Sequence, residues 1–98
     1  MATHHESDMQ THVTSERFKE LLTTFIVDEV ATADEPIAGD TDLLLSGLVD
    51  SLGVVMVSDW IQDQLSIEID PVDIVLENFQ TVDAMVAYAE SRGAVLAP

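Results

Sequence analysis

The chain contains no cysteine. Neither a disulfide framework nor a thiolate metal site is open to it. Basic residues are nearly absent too. Arg17, Lys19 and Arg92 stand against nineteen acids, for a formal net charge of −16, and no lysine or arginine lies between Glu20 and Ser91. Such a surface repels nucleic acid and anionic membrane headgroups, and it speeds encounter with basic patches on proteins. Because it also destabilises the compact state by self-repulsion, we read it as functional and not only as an aid to solubility. No apolar run is long enough to cross a membrane, and no signal peptide is visible. No internal repeat or low-complexity tract is found. These absences leave one small domain of 98 residues, 47% hydrophobic, enough for a modest core. The expected compartment is the cytoplasm.

Helical periodicity dominates what is there. Ser15 is placed as the cap of a first helix, with Glu16 favouring its start. Phe18, Leu21, Leu22, Phe25, Ile26 and Val30 follow as an apolar stripe. The helix is expected to fade near Thr32 to Asp34, ahead of Pro36. Ala33 to Val49 then reads as a long loop, pinned to the core by Leu43, Leu44 and Leu45. A second helix is predicted from Ser51 to about Gln64. Val54, Val57, Ser58, Ile61 and Leu65 form its inward face; Leu52, Met56, Asp59 and Asp63 form its outward face. Ser66 to Ile69 reads as an extended link. Asp70-Pro71 starts a short third helix, about Val72 to Glu77. Thr81 caps a last helix bearing Val82, Met85, Val86 and Ala89, with Tyr88 at the flank and Gly93 as its C-cap. The expected architecture is all-α: a small four-helix bundle with three main helices, one short third helix and a long loop after the first.

One stretch carries chemistry: Gly47-Leu48-Val49-Asp50-Ser51-Leu52-Gly53. Asp50 is a good N-cap, which leaves Ser51 in the first helical turn, exposed and turned away from the core. A serine hydroxyl is a poor nucleophile without a base. The histidines, His4, His5 and His12, all lie near the N-terminus and none is near Ser51 in sequence, so the pattern argues against a self-sufficient Ser-His-Asp hydrolase. By local sequence alone, Asp50-Ser51 reads as no more than a capping pair.

The wider pattern says more. Asp42-Leu43, the run Gly47 to Leu52, Ile69 and Pro71, and Asn78-Phe79-Gln80-Thr81 before the last helix occur in order at their spacings. Together they resemble the acyl carrier and peptidyl carrier protein family over roughly Phe18 to Arg92. That resemblance implies a carrier without catalysis of its own. It implies that Ser51 bears a 4′-phosphopantetheine arm taken from coenzyme A by a phosphopantetheinyl transferase, which supplies the base and magnesium. It also implies that an acyl or aminoacyl group rides on the arm as a thioester. Asp50 is then both cap and transferase contact.

The pattern departs from the common fatty-acid type. Gly47 stands four residues before the serine instead of three, and Gly53 follows Leu52 where an acid is usual. Met56 occupies a position that is often glutamate. Gly53 and Met56 thus interrupt the row of acids on the second helix. The string is more similar to the D-alanyl carrier and to free-standing carriers of secondary metabolism, including nonribosomal peptide and polyketide synthesis. In those a separate adenylating ligase commonly loads the arm, and downstream acyl-accepting enzymes unload it.

Leu52, Met56, Asp59 and Asp63 are the expected docking face, although a single exposed Met56 also fits chance. Trp60 is read as core, with an aromatic partner contact as second reading. Asp40-Thr41-Asp42 has the spacing of a calcium-loop start. It lacks the third ligand, the glycine at position six and the closing glutamate, so no metal site is assigned there or to His4-His5. The expected organisation is a disordered leader over 1–14, a monomeric carrier domain over 15–93 and a tail over 94–98. The alternative function is an acidic interaction domain that binds a basic protein surface as a nucleic-acid mimic. A mimic needs the charge and not the Ser51 hydroxyl.

Overall fold

A computed structural model describes residues 14–96. The expected leader up to residue 13, its three histidines, and residues 97–98 of the expected tail lie outside the described residues. Four α-helices order the described chain: α1 Ser15–Phe25, α2 Ser51–Leu65, α3 Leu76–Phe79 and α4 Val82–Ser91. The all-α bundle with its long loop after α1 is as the sequence leads one to expect.

Helix α1 starts one residue earlier than the sequence suggests. Thr14, not Ser15, is the cap; its hydroxyl accepts from the Arg17 N–H. This frame turns Phe18 and Leu22 into the core. The helix then widens into a π-turn over Ile26–Val30, closed by the Ala31 N–H donating to the Ile26 carbonyl at 2.7 Å. Ala31 is extended, so the helical path ends at Val30 and not at Thr32 to Asp34.

Helix α2 buries Val54, Val57, Ser58 and Ile61 as expected. Its Trp60 ring stacks on Phe25 and Phe18 of α1, with centroids 5.1 and 5.8 Å apart, so the core reading of Trp60 holds. Ser66 ends α2 in the left-handed region at φ 54°, and the chain then runs without regular structure to an extended Asp70.

The third helix differs from expectation. Pro71–Asp73 is a single 3-10 turn capped by Asp70, Val75 is extended, and α3 begins only at Leu76. Two causes act together. Val72, Ile74 and Val75 are β-branched and disfavour a helix. Tertiary bonds also hold the break: Tyr88 Oη donates to Asp73 Oδ2 at 2.8 Å, and Asn78 Nδ2 donates to the Asp73 carbonyl. Thr81 caps α4 through the Ala84 N–H, and Gly93 follows its end with φ 101°.

The core joins Phe18, Leu22 and Ile26 to Leu43, Val57, Ile61, Phe79 and the α4 residues Val82, Met85 and Ala89. Each of these Phe, Leu, Ile, Val and Met side chains stabilises the fold by about 1.5–3 kcal/mol relative to exposure. Ala94 and Leu96, which the sequence reading puts in the tail, pack partly buried against this core. No helix among the described residues is long and apolar enough to cross a membrane.

Candidate functional site

The site is built on the joint between the long loop and α2. Asp42 organises the loop: its Oδ1 accepts from the Leu44 and Leu45 N–H groups. Leu43 is fully buried and its N–H donates to the Gln80 carbonyl, which ties the loop to the link between α3 and α4. Leu44 packs half-buried against the core. Leu45 does not pin the loop as expected; it is 71% exposed. The Asp42 turn reverses the chain after Leu44, and side chains on the outer side of a tight turn face water.

Gly47 has φ +83°, in the left-handed region that L side chains seldom adopt. That conformation redirects the chain so that Leu48 and Val49 turn inward and are buried. Asp50 then caps α2 as the sequence suggests, its Oδ1 accepting from the Gly53 N–H at 2.8 Å. Ser51 is the first residue of the helix and is exposed.

Three serines lie close together in this part of the chain, and their surroundings differ. The Ser46 hydroxyl donates to the Asp42 carbonyl and accepts from the Leu48 N–H. Ser58 is buried. The Ser51 hydroxyl makes no hydrogen bond among the described residues. Among the described residues there is no histidine and no cluster of three metal-ligating side chains. The arrangement presents an unactivated alcohol to an outside reagent. No imidazole among the described residues stands ready to take its proton.

The outward residues of α2 are where the sequence puts them. Leu52 is 68% exposed, and Met56, Asp59 and Asp63 are exposed beside it. Gly53 is not part of that face. It is buried, and a Cβ built on it would lie 2.6 Å from Val30 Cγ1 and 3.0 Å from Val49 Cγ1. The glycine therefore permits the close approach of the π-turn of α1 to the start of α2. It is a packing residue and does not interrupt a row of surface acids.

Sequence reasoning missed several exposed apolar residues. Val55 sits on α2, and Val75 and Leu76 face it from the segment that opens α3. With Leu44, Val54 and Phe79 they line a cleft of about 320 Å³ that begins at Ser51. The pair Val54-Val55 and the run Ile74-Val75-Leu76 were the available signal. An apolar run longer than one buried face can absorb leaves some members outside.

Lys19 Nζ reaches Asp83 Oδ1 at 2.7 Å, and the Asp83 N–H donates to the Gly39 carbonyl. The hydrogen bond and charge of Asp83 hold the Lys19 ammonium above its ordinary range. This is a structural tie between the loop, α1 and α4.

Comparison with known families gives a match. The family model described as phosphopantetheine attachment site matches residues 20–89, which include the whole joint described above. No curated protein matches the chain.

Proposed function

The chain belongs to the phosphopantetheine attachment-site family of carrier proteins, and from that premise we propose that Ser51 is the attachment residue and that the protein carries an acyl or aminoacyl group between biosynthetic enzymes. Family membership implies a covalently bound 4′-phosphopantetheine. When bound, this group supplies a terminal thiol that holds its cargo as a thioester. The observation that carries the assignment is the exposed Ser51 hydroxyl at the first position of α2, with Ser46 tied to its own loop and Ser58 buried.

The residues fit the group. Asp50 holds the first turn open through the Gly53 N–H, so the helix start keeps its shape with Ser51 outside it. The partial positive charge of a helix N-terminus favours a phosphodiester there, and the Asp50 carboxylate opposes it. Leu44, Val54, Val55, Val75 and Leu76 offer an apolar wall beside the attachment point. A base to accept the Ser51 proton has to come from the transferase. The chain is a substrate of that enzyme, with no catalysis of its own.

Intact mass after incubation with coenzyme A, magnesium and a broad-specificity phosphopantetheinyl transferase tests the assignment. We expect one added phosphopantetheine on the parent and none on a folded Ser51→Ala variant. Modification at Ser46 or Ser58, or no gain in mass, sinks the proposal.

Partner enzymes dock on Leu52 and Met56, rimmed by Asp59 and Asp63, with Asp50 at the edge. Apolar anchors at the centre of a patch dominate affinity, and rim charges set the encounter rate. Met56→Ala should weaken transfer at every salt concentration, and Asp59→Lys should slow it mainly at low salt. Parental behaviour of both variants puts the partner surface elsewhere.

The loading enzyme is an ATP-dependent adenylating ligase acting on a free carboxylic or amino acid. Exposed Met56 supports this, because interface discrimination rests on a few such positions. Competition on arm-bearing protein decides it by mass. Efficient loading from malonyl coenzyme A by a housekeeping acyltransferase, without acylation by a ligase encoded nearby, refutes the ligase.

A further inference from the structure

The start of α2 is gripped on both flanks by the end of α1. Upstream of Ser51, Thr32 Oγ1 donates to the Gly47 carbonyl at 2.8 Å, and the Thr32 N–H donates to the Leu48 carbonyl at 2.8 Å. Downstream, Val30 packs so tightly on Gly53 that no Cβ fits between them. Val30 ends the π-turn, a local widening that often accompanies functional sites, and Thr32 stands two residues on.

The loop before Ser51 is otherwise tied mostly to itself. The Gly47 N–H donates to Leu44, the Leu48 N–H to Ser46 Oγ, and the Val49 N–H to Leu43. Thr32 is therefore the polar link between α1 and the strap that carries Asp50 and Ser51. Its side chain is exposed, so it contributes little to the core.

We propose that Thr32 is a positioning residue for arm attachment, holding Gly47 and Leu48 in the pose in which Ser51 meets the transferase. This rests on the reading of Ser51 given above. Thr32 touches no reacting atom; it acts through two carbonyls. Without its hydroxyl the strap samples other poses, and the apparent KM for the carrier rises as the competent fraction falls. Once the complex has formed, the chemical step is unchanged.

The test is steady-state kinetics of phosphopantetheinylation of the full chain, with coenzyme A saturating. Thr32→Val removes the hydroxyl and keeps the shape. We expect KM for the carrier to rise, by up to about three- to tenfold, the ceiling set by the change in the pose equilibrium that one net hydrogen bond supports, with kcat unchanged. Thr32→Ser should restore the parental KM. Thr41→Val is the control. It loses another loop hydrogen bond, that from the Ala38 N–H to Thr41 Oγ1, and should keep the parental KM. A parent that is not modified at Ser51 overturns both readings. A modified parent, with Thr32→Val at parental KM, Thr32→Ser failing to rescue, or Thr41→Val equally impaired, overturns the role of Thr32 and leaves Ser51 standing.

Discussion

Gly53→Ala is the sharpest probe of how α1 meets α2. Elsewhere in a helix this change stabilises by up to about 1 kcal/mol, because glycine loses more backbone freedom on folding than alanine. Here the new methyl meets Val30 Cγ1 at 2.6 Å and Val49 Cγ1 at 3.0 Å. Both neighbours are β-branched and stiff at χ1, so relief requires α2 to move away from the π-turn. Overpacking of this kind costs about 1–3 kcal/mol. The difference is a net loss of about 1 kcal/mol, or roughly 4–8 °C in Tm for a domain of this size. Val30→Ala removes the nearer obstacle. In that background Gly53→Ala should be neutral or stabilising, which makes the two sites coupled by about 1–2 kcal/mol in a double-mutant cycle. Urea unfolding of the parent, both single variants and the double variant, followed by helical circular dichroism, measures the cycle. A Gly53→Ala variant more stable than the parent, or a cycle that closes with less than about 0.5 kcal/mol of coupling, refutes the close approach.

Other outcomes follow from the same structure. Burial, and then the hydrogen bond to Asp73, push the Tyr88 phenol above its ordinary value of 10.0. A raised folded value means that this stabilisation is complete below pH 10 and is lost as pH rises through the folded value; since Tyr88 is the single tyrosine, phenolate absorbance should report its late titration, and Tyr88→Phe should remove that part of the alkaline loss of stability. The net charge of −16 should make Tm rise by several degrees between about 0.01 M and 0.5 M salt, as the Debye length shrinks from about 30 Å to under 10 Å; a flat scanning-calorimetry response refutes self-repulsion as a destabilising term. Leu43→Ala should cost about 2–5 kcal/mol by denaturant titration, whereas Leu45→Ser should stay within about 0.5 kcal/mol of the parent; equal losses at the two positions contradict the turn that faces one inward and the other outward.

Some of this was legible residue by residue. Asp50 and Thr81 are side chains whose capping role depends on the next three residues alone, and both cap as the sequence suggests. The inward face of α2 follows from a spacing of three and four, which needs no knowledge of what covers it. The third helix was not legible. Val72 to Glu77 carries a proline start and an apolar pattern, yet Asp73 is held out of a helix by Tyr88 from fifteen residues away. Gly53 was misread for the same reason: its neighbour Val30 lies on another helix.

The sequence by itself determined the all-α architecture, the joint at Asp50-Ser51 and the family, because capping, periodicity and an ordered motif are local properties of the chain. The tertiary structure alone decided which apolar residues remain outside. Leu45, Val55, Val75 and Leu76 are no less hydrophobic than Leu43, Val54 and Phe79. What separates the two groups is the finite volume that α1 and α4 leave to be filled. Helical spacing assigns residues to a face, but only packing against the other helices sets how much of that face is covered.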